Sequence, residues 1–286
     1  MPSVPSSDPV ALPARPPLVA GTLYLVATPI GNLEDITLRA LRVLRECDAV
    51  CAEDTRHTGQ LLSHFGIRKP LLSYHKFNEA RRSEEIIERL RGGQRLALVT
   101  DAGSPGISDP GERVVNACVA AGLRVESIPG ACALIAALTA SGLPTDAFRF
   151  AGFPPVKSGQ RTRRLKEWLA VPETMVLYES PYRVEKLLVE IASLAPERPV
   201  AVARELTKKF EEWLRGPASV VAAELQRRPR KGEFVVLLGP APKSALAGLR
   251  VAPLDDATED TEDTEDTVEA SDSTVDASHS SDSTSP

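Results

Sequence analysis

The chain has 286 residues, of which 42% are apolar, so it can form one large domain or two ordinary ones with a sizeable core. Its longest apolar run, residues 131–138, is far shorter than the roughly 20 residues of a transmembrane helix, and this predicts that the chain is not an integral membrane protein. The formal charge of −5 is unevenly distributed. Twelve of the 39 Asp and Glu lie in residues 251–286, which hold no Lys or Arg, and residues 1–250 carry a formal charge of +7.

The two ends of the chain differ in composition from its middle. Six of the first 17 residues are proline and no apolar block occurs among them, which predicts a disordered extension over residues 1–20 rather than a secretion signal. Residues 241–286 are predicted to form a disordered acidic tail. This tail either screens weak contacts between the basic part of the chain and polyanions or only keeps the chain in solution.

The residues between 21 and 240 alternate short apolar runs with stretches of helical periodicity. The first half contains predicted strands at 23–27, 49–52, 71–74, 96–100 and 124–128, and a predicted helix at 37–47. The second half contains a predicted helix at 131–140 and predicted strands at 175–178, 200–203 and 234–238. This order favours an α/β fold with largely parallel strands, divided into an N-terminal domain at 21–129 and a C-terminal domain at 130–240.

Four unusual loops follow predicted strands, at residues 28–32, 101–111, 129–133 and 178–183. Ligands bind open α/β sheets at the carboxyl ends of the strands, so these loops are candidates for a ligand cleft. The glycines of the second loop allow a ligand to approach the backbone and leave N–H groups free as donors. For any single loop, glycines that only form a turn remain the alternative.

Several common sites are excluded by spacing. The sequence has no GxGxxG, Walker A, HExxH or GxSxG motif, which argues against a Rossmann nucleotide site, a phosphate-binding loop, a zinc protease site and a serine hydrolase elbow. The four cysteines, Cys47, Cys51, Cys118 and Cys132, include no CxxC pair. Without a secretion signal, they are typical of reduced thiols in a cytoplasmic protein.

Seven segments together resemble one family. They are VATPIGNLEDITLRA (26–40), CAEDTRHT (51–58), SYHKFNE (73–79), DAGSPGISDPG (101–111), IPGACALIAALTASGLP (128–144), FAGFPP (150–155) and YESPYR (178–183). In this order they are similar to the ribosomal RNA small-subunit methyltransferases that 2′-O-methylate a cytidine of 16S rRNA, within the tetrapyrrole-methylase superfamily. The resemblance covers about residues 21–240. It implies a two-lobed class III methyltransferase fold, a homodimer, S-adenosylmethionine in the cleft between the lobes, and no metal.

The resemblance also assigns residues to the cofactor. The implied contacts are Pro29, Ala102, Gly103, Ser104, Ile107, Cys132, Ala133, Tyr178, Glu179 and Leu206. Pro29 is expected beside the methionine end of the cofactor, and Tyr178 and Glu179 near the adenosine. Porphyrin-modifying relatives usually carry an acidic residue at the position of Ser104 and Ser or Thr at that of Cys132, and both departures fit the ribosomal branch.

Methyl transfer to a ribose hydroxyl is an in-line displacement that benefits from alignment and from a general base or a stabilising charge. The polar residues near the ends of the predicted strands supply four candidates, Glu53, Asp54, His57 and Asp101. For Asp54 and Asp101 the alternative is capping of a loop, because carboxylates beside turns often bond backbone N–H groups.

RNA is expected to be held first through its phosphates. The densest cationic cluster consists of Lys157, Arg161, Arg163, Arg164 and Lys166. Further cationic residues lie at 76–82 and 227–231. A solvated helix face is the alternative for any one cluster, and Trp168 fits a core position better than a base-stacking one.

Two other functions remain open at this point. The same fold could methylate a tetrapyrrole or another non-RNA substrate, or the chain could be a non-catalytic module that binds RNA or a nucleotide. The basic character of residues 1–250 favours the RNA methyltransferase.

Overall fold

The computed structural model describes residues 16–241, so most of the predicted N-terminal extension and nearly all of the predicted acidic tail lie outside it. Residues 16–20 were assigned to the extension, but Leu18 is only 9% exposed and packs in a core cluster. The backbone N–H of Val19 donates to the hydroxyl of Tyr24 at 2.8 Å. These residues therefore belong to the packed part of the chain. So short an apolar stretch between prolines and a glycine shows no strand or helix periodicity, and for this reason its packing could not be predicted from the sequence.

The first half of the described chain forms a five-stranded parallel sheet. Its elements are β1 (Thr22–Val26), α1 (Leu38–Glu46), β2 (Ala49–Ala52), α2 (Thr55–His64), β3 (Leu71–Ser73), α3 (Glu79–Arg91), β4 (Leu96–Val99), α4 (Glu112–Ala120) and β5 (Arg124–Ile128), with a short 3-10 helix at Leu33–Asp35. The strand order is β3-β2-β4-β1-β5. Since all four pairings are parallel, the five carboxyl ends share one edge of the sheet.

Alternation along the strands explains why both faces of this sheet are covered. Tyr24 and Val26 of β1 belong to the core beneath α1 and α2, whereas Leu23 belongs to the core beneath α3 and α4. Because both faces are buried at the centre of the sheet, the inner strands β1, β2 and β4 read as nearly continuous apolar runs, which is typical of parallel sheets. The predicted strands of this half are confirmed to within one residue at each end.

The second half forms a mixed sheet. Its elements are α5 (Ala133–Ala140), β6 (Phe148–Gly152), α6 (Ser158–Leu169), β7 (Thr174–Glu179), α7 (Val184–Leu194), β8 (Pro199–Arg204), β9 (Glu212–Pro217), α8 (Ala218–Arg227) and β10 (Phe234–Leu238). The strand order is β6-β7-β10-β8-β9, and only β6 and β7 are parallel. The expectation of largely parallel strands is therefore wrong for this sheet. β6 and β9 were not predicted, because both are edge strands with polar residues or glycine.

Helices cover both faces of the second sheet. Helices α6, α7 and α8 pack over one core, and α5 packs over the other. Ile30, which follows β1 in the first half, joins the α5 core beside residues of β7, β8 and β10. This shared core places the loop after β1 against the second sheet. Within residues 16–241 no helix has the length and apolar character to span a membrane.

Candidate active site

A cleft of about 460 Å³ lies where loops of the two sheets face each other. The first half lines it with residues that follow β1, β2, β4 and β5, and the second half with residues at the ends of β6, β7 and β8 and at the start of β10. Nine of the ten residues that the resemblance assigned to the cofactor line this cleft, and they are Ala102, Gly103, Ser104, Ile107, Cys132, Ala133, Tyr178, Glu179 and Leu206. The tenth, Pro29, is buried beside Ile30, which does line the cleft.

Hydrogen bonds join the loops after β1, β4 and β5 into one unit. The backbone N–H groups of Thr28 and Gly103 each donate to the other residue's carbonyl oxygen, at 2.9 and 3.0 Å. The hydroxyl of Ser104 donates to the carbonyl of Ala131 at 3.2 Å. Gly103 has φ of +84°, which residues with a side chain rarely adopt, so this position requires glycine.

A second glycine permits a close approach of the loops after β1 and β5. A Cβ built on Gly130 would lie 2.7 Å from the Cβ of Ala27, closer than real Cβ contacts allow. The backbone of the loop after β5 can therefore reach the end of β1 only because this residue has no side chain.

Tyr178 and Glu179 form the wall contributed by β7. The Tyr178 hydroxyl accepts a hydrogen bond from the backbone N–H of Leu134, in the first turn of α5, at 3.0 Å. Glu179 is only 3% exposed, and its Oε1 accepts from the N–H of Ser180 and from Nε of Arg183, both at 2.7 Å. These bonds hold both side chains in place. Burial also raises the pKa of Tyr178, so its phenol stays protonated at neutral pH.

Leu206 reaches the cleft from a constrained loop between β8 and β9. The residues on either side of it, Glu205 and Thr207, have φ of +51° and +66°, a conformation uncommon for residues other than glycine. The ammonium group of Lys208 bonds to Glu205 at 3.1 Å and to Glu233 at 2.8 Å, which holds the loop in this shape. Backbone strain of this kind clusters at functional sites.

Three carboxyl groups, Glu53, Asp101 and Asp109, line one wall of the cleft. In the described part of the chain none of them forms an ion pair with Lys, Arg or His. Burial raises the pKa of Asp109 to about 6, and the nearby charges of Glu53 and Asp101 add to this effect. Burial, and then the charge of Asp101, also raises the pKa of Glu53, while His75 opposes the shift. The wall is therefore suited to a positively charged ligand.

The four predicted catalytic residues do not all reach the cleft. Glu53 and Asp101 line it, whereas Asp54 and His57 do not. Asp54 caps α2, because its Oδ1 accepts from the N–H of Arg56 at 2.8 Å, and these backbone bonds lower its pKa. His57 is exposed on α2. Asp101 both lines the cleft and bonds to a backbone N–H group, since its Oδ1 accepts from the N–H of Asp54 at 3.2 Å.

Several cleft residues within the quoted segments were not predicted, and Asp109 and Phe153 are two of them. Asp109 belongs to DAGSPGISDPG and Phe153 to FAGFPP, and both line the cleft. The signal for Asp109 was a second carboxyl group on the same glycine-rich loop as Asp101. The direction of the Asp109 side chain depends on the backbone of Ser108, whose φ of +63° could not be predicted from the sequence.

The cationic clusters are partly neutralised by their neighbours. The cluster at residues 157–166 lies on α6 and the residue before it, and is called here the α6 cluster. Within it, Arg161 pairs with Glu190 at 2.7 Å and Arg164 with Glu167 at 2.8 Å. The three other members, Lys157, Arg163 and Lys166, are exposed and have no ion pair among the described residues.

The other two clusters also contain both cations that form ion pairs and cations that form none among the described residues. Arg230 is paired with Glu212 at 2.7 Å, and its side chain is only 6% exposed. Lys76 and Arg81 are exposed without such a partner in the described chain. Trp168 packs against the core of the second sheet, as expected for a core position.

Comparisons with known proteins agree with this geometry. Residues 22–222 match the family Tetrapyrrole (Corrin/Porphyrin) Methylases. The chain is 50% identical over 236 residues to a ribosomal RNA small subunit methyltransferase I from Mesorhizobium japonicum, covering 82% of this chain and 80% of that one. It is 49% identical over 221 residues to the protein of that name from Xylella fastidiosa, covering 76% and 81%.

A solved structure shows the same fold. Uroporphyrin-III C-methyl transferase from Thermus thermophilus, complexed with S-adenyl homocysteine, is 24% identical, covers 76% of this chain and 97% of that one, and has a TM-score of 0.54. The expected α/β methyltransferase fold is thereby confirmed. The chain belongs to the tetrapyrrole methylase family and, within it, to the ribosomal RNA small subunit methyltransferase I group.

Between residues 16 and 241, no three His, Cys, Asp or Glu side chains are arranged to hold a metal ion.

Proposed function

We propose that this chain transfers a methyl group from S-adenosylmethionine to the ribose 2′-oxygen of a cytidine in 16S rRNA. The observation that carries the proposal is the cleft, in which nine of the expected cofactor positions meet a wall of carboxyl groups that have no ion pair among residues 16–241. The names of the relatives from Mesorhizobium japonicum and Xylella fastidiosa support ribosomal RNA as the substrate.

The residues of the cleft fit this cofactor. Its volume of about 460 Å³ lies in the usual range of ligand pockets, about 300–1,000 Å³. Ile30, Ile107 and Leu206 give it apolar surface for an adenosine, and the carboxyl wall complements a cationic group. When bound, the cofactor supplies an electrophilic methyl group on a positively charged sulfur.

The carboxyl wall also provides acceptors for the proton that leaves the ribose 2′-hydroxyl. A carboxylate of Glu53, Asp101 or Asp109 would accept the proton of the 2′-hydroxyl as the ribose oxygen is methylated. The thioether product is neutral, so the reaction removes one positive charge from the cleft and places one proton on the wall. Asp109, with a pKa of about 6, is ionised at neutral pH but close enough to it to accept a proton effectively.

RNA binding is proposed to use the exposed cations that have no ion pair within the described residues. Lys157, Arg163 and Lys166 of the α6 cluster are such cations. Arg161 and Arg164, which the sequence placed with them, already bond to Glu190 and Glu167, so their charges are less available to phosphates. A homodimer, expected from the family, and a cytoplasmic location, expected from the cysteines, are part of the same proposal.

The experiment that tests the function uses small ribosomal subunits from cells that lack this protein. Incubation with tritiated S-adenosylmethionine should place label on a cytidine ribose of 16S rRNA, located by mapping ribose methylation. Label in uroporphyrinogen but not in RNA would indicate a tetrapyrrole substrate. Cofactor binding by calorimetry without transfer to any RNA would indicate a non-catalytic module.

A variant links this activity to the cleft. Gly103→Val should lose cofactor binding, because a β-branched side chain at φ of +84° disrupts the backbone bridge to Thr28. Gly159→Ala is the matched control, because a Cβ there meets nothing within 4 Å, and it should bind the cofactor as the unchanged protein does. Equal cofactor affinity in a folded Gly103→Val protein would remove this loop from the site.

A further inference from the structure

The aromatic ring of Phe153 lines the cleft and is partly exposed to solvent. Phe153 follows β6 directly, lines the cleft and is 54% exposed. On the neighbouring loop, Tyr182 is 90% exposed and comes directly after Pro181, which also lines the cleft. Exposed apolar surface concentrated at the opening of a pocket is typical of a binding surface.

The Phe153 ring is fixed by its neighbours. It packs edge-to-face on Tyr178, with the ring centroids 5.9 Å apart, and Tyr178 packs in the same way on Phe150 at 4.8 Å. The backbone beside it is held as well, because Arg183 Nη1 donates to the carbonyl of Pro154 at 3.4 Å. The ring therefore offers an exposed surface that needs little ordering when a partner arrives.

The backbone next to this ring lies beside the loop that carries Asp101 and Asp109, two of the three carboxyl groups of the wall. A Cβ built on Gly152 would come within 3.3 Å of Oγ of Ser108, the residue before Asp109. A flat group resting on Phe153 would therefore lie next to the loop that bears a proposed proton acceptor.

We propose that Phe153 is the platform on which the base of the target nucleotide stacks while its ribose enters the cleft. This inference rests on the proposed function, since it assumes that RNA is the substrate. Unpaired bases of RNA are held mainly by stacking on aromatic side chains, and every base has a face for such a contact. Lys157, exposed four residues further on and just before α6, supplies a charge for the adjoining phosphate.

The adenine of the cofactor is the other flat group that could use this ring. Tyr178 is the better candidate for adenine, because it is more buried than Phe153 and its hydroxyl is fixed against the first turn of α5. Phe153 lies outside Tyr178, toward solvent, where RNA must enter. A ring that stacks on adenine would control the affinity for the cofactor, whereas a ring that stacks on the RNA base would control the affinity for the ribosomal subunit. The two affinities can be measured separately.

The test compares Phe153→Leu, which keeps an apolar side chain but removes the ring, with Phe153→Trp, which restores a stacking surface. Small ribosomal subunits from cells lacking this protein serve as the substrate. Phe153→Leu should raise KM for the subunits, or lower kcat/KM, by about tenfold or more, and Phe153→Trp should recover most of the loss. Cofactor affinity by calorimetry should be unchanged in both variants.

Phe210→Leu is the matched control, because Phe210 is 66% exposed but does not line the cleft, and its kinetics should equal those of the unchanged protein. Unchanged kinetics in Phe153→Leu would overturn the inference. A loss of cofactor affinity in Phe153→Leu that matches its loss of kcat/KM would also overturn it, by assigning the ring to the cofactor. If the unchanged protein does not methylate the subunits, the proposed function fails instead.

Discussion

Replacing Asp109 with Asn should make the protein more stable at alkaline pH. The fold raises the pKa of this carboxyl from 3.8 to about 6, so its ionised form is less favourable in the folded chain than in the unfolded one. At 1.36 kcal/mol per pKa unit the difference is about 3 kcal/mol, and screening by water at this half-exposed site reduces it to about 1 kcal/mol. The folded state is therefore more stable below pH 3.8, the pKa of this carboxyl in the unfolded chain. This extra stability is lost as the pH rises through about 6, its pKa in the folded chain.

Urea denaturation of the unchanged protein and of Asp109→Asn at about pH 8 and about pH 4 tests the sign. The variant should be more stable by about 1 kcal/mol at the higher pH, and most of this difference should disappear at the lower pH, where the carboxyl is protonated in the folded chain and only partly ionised in the unfolded chain, in which its pKa is 3.8. Asp54→Asn is the control of opposite sign, since the pKa of Asp54 is lowered by its bonds to α2. An Asp109→Asn protein that is less stable at about pH 8 would refute the reasoning.

Three further changes test other parts of the structure. Gly130→Ala should lower the free energy of unfolding by about 1–3 kcal/mol, because its Cβ would lie 2.7 Å from a neighbouring Cβ, whereas Gly159→Ala should not lower it. Arg161→Ala should cost about 1–3 kcal/mol in thermal denaturation, because it leaves the largely buried carboxylate of Glu190 unpaired. Deleting residues 251–286 changes the formal charge from −5 to +7, so unrelated RNA should bind more tightly at low salt but not at high salt, with methyl transfer intact.

The strands with the strongest apolar runs were the easiest to predict. Residues 49–52 and 234–238 are wholly apolar and match β2 and β10 at both ends, and residues 124–128 match β5 at both ends although that edge strand is largely polar. β6 and β9 escaped notice because edge strands carry polar residues and glycine, which weaken the periodic signal. Only the sheet order explains their composition, and that order depends on contacts between distant residues.

The segments of the candidate site were predictable, but the direction of each side chain was not. Recognisable loops at strand ends led to nine residues that line the cleft. Whether a carboxyl group faces the cleft or caps a helix depends on backbone angles, which separate Asp109 from Asp54. The pairing of Arg161 with Glu190 joins residues 29 positions apart, so the sequence alone could not show that this charge was already engaged.

The bridge between Thr28 and Gly103 has a consequence for the thermodynamics of ligand binding. Fixing the backbone of one residue costs about 1–2 kcal/mol of conformational entropy, and here the loops after β1 and β4 are fixed by main-chain hydrogen bonds during folding. A ligand entering this side of the cleft meets donors and carbonyls that are already ordered. Amide hydrogen exchange at Thr28 and Gly103 should therefore be slow before any ligand is added, and binding should slow it little further.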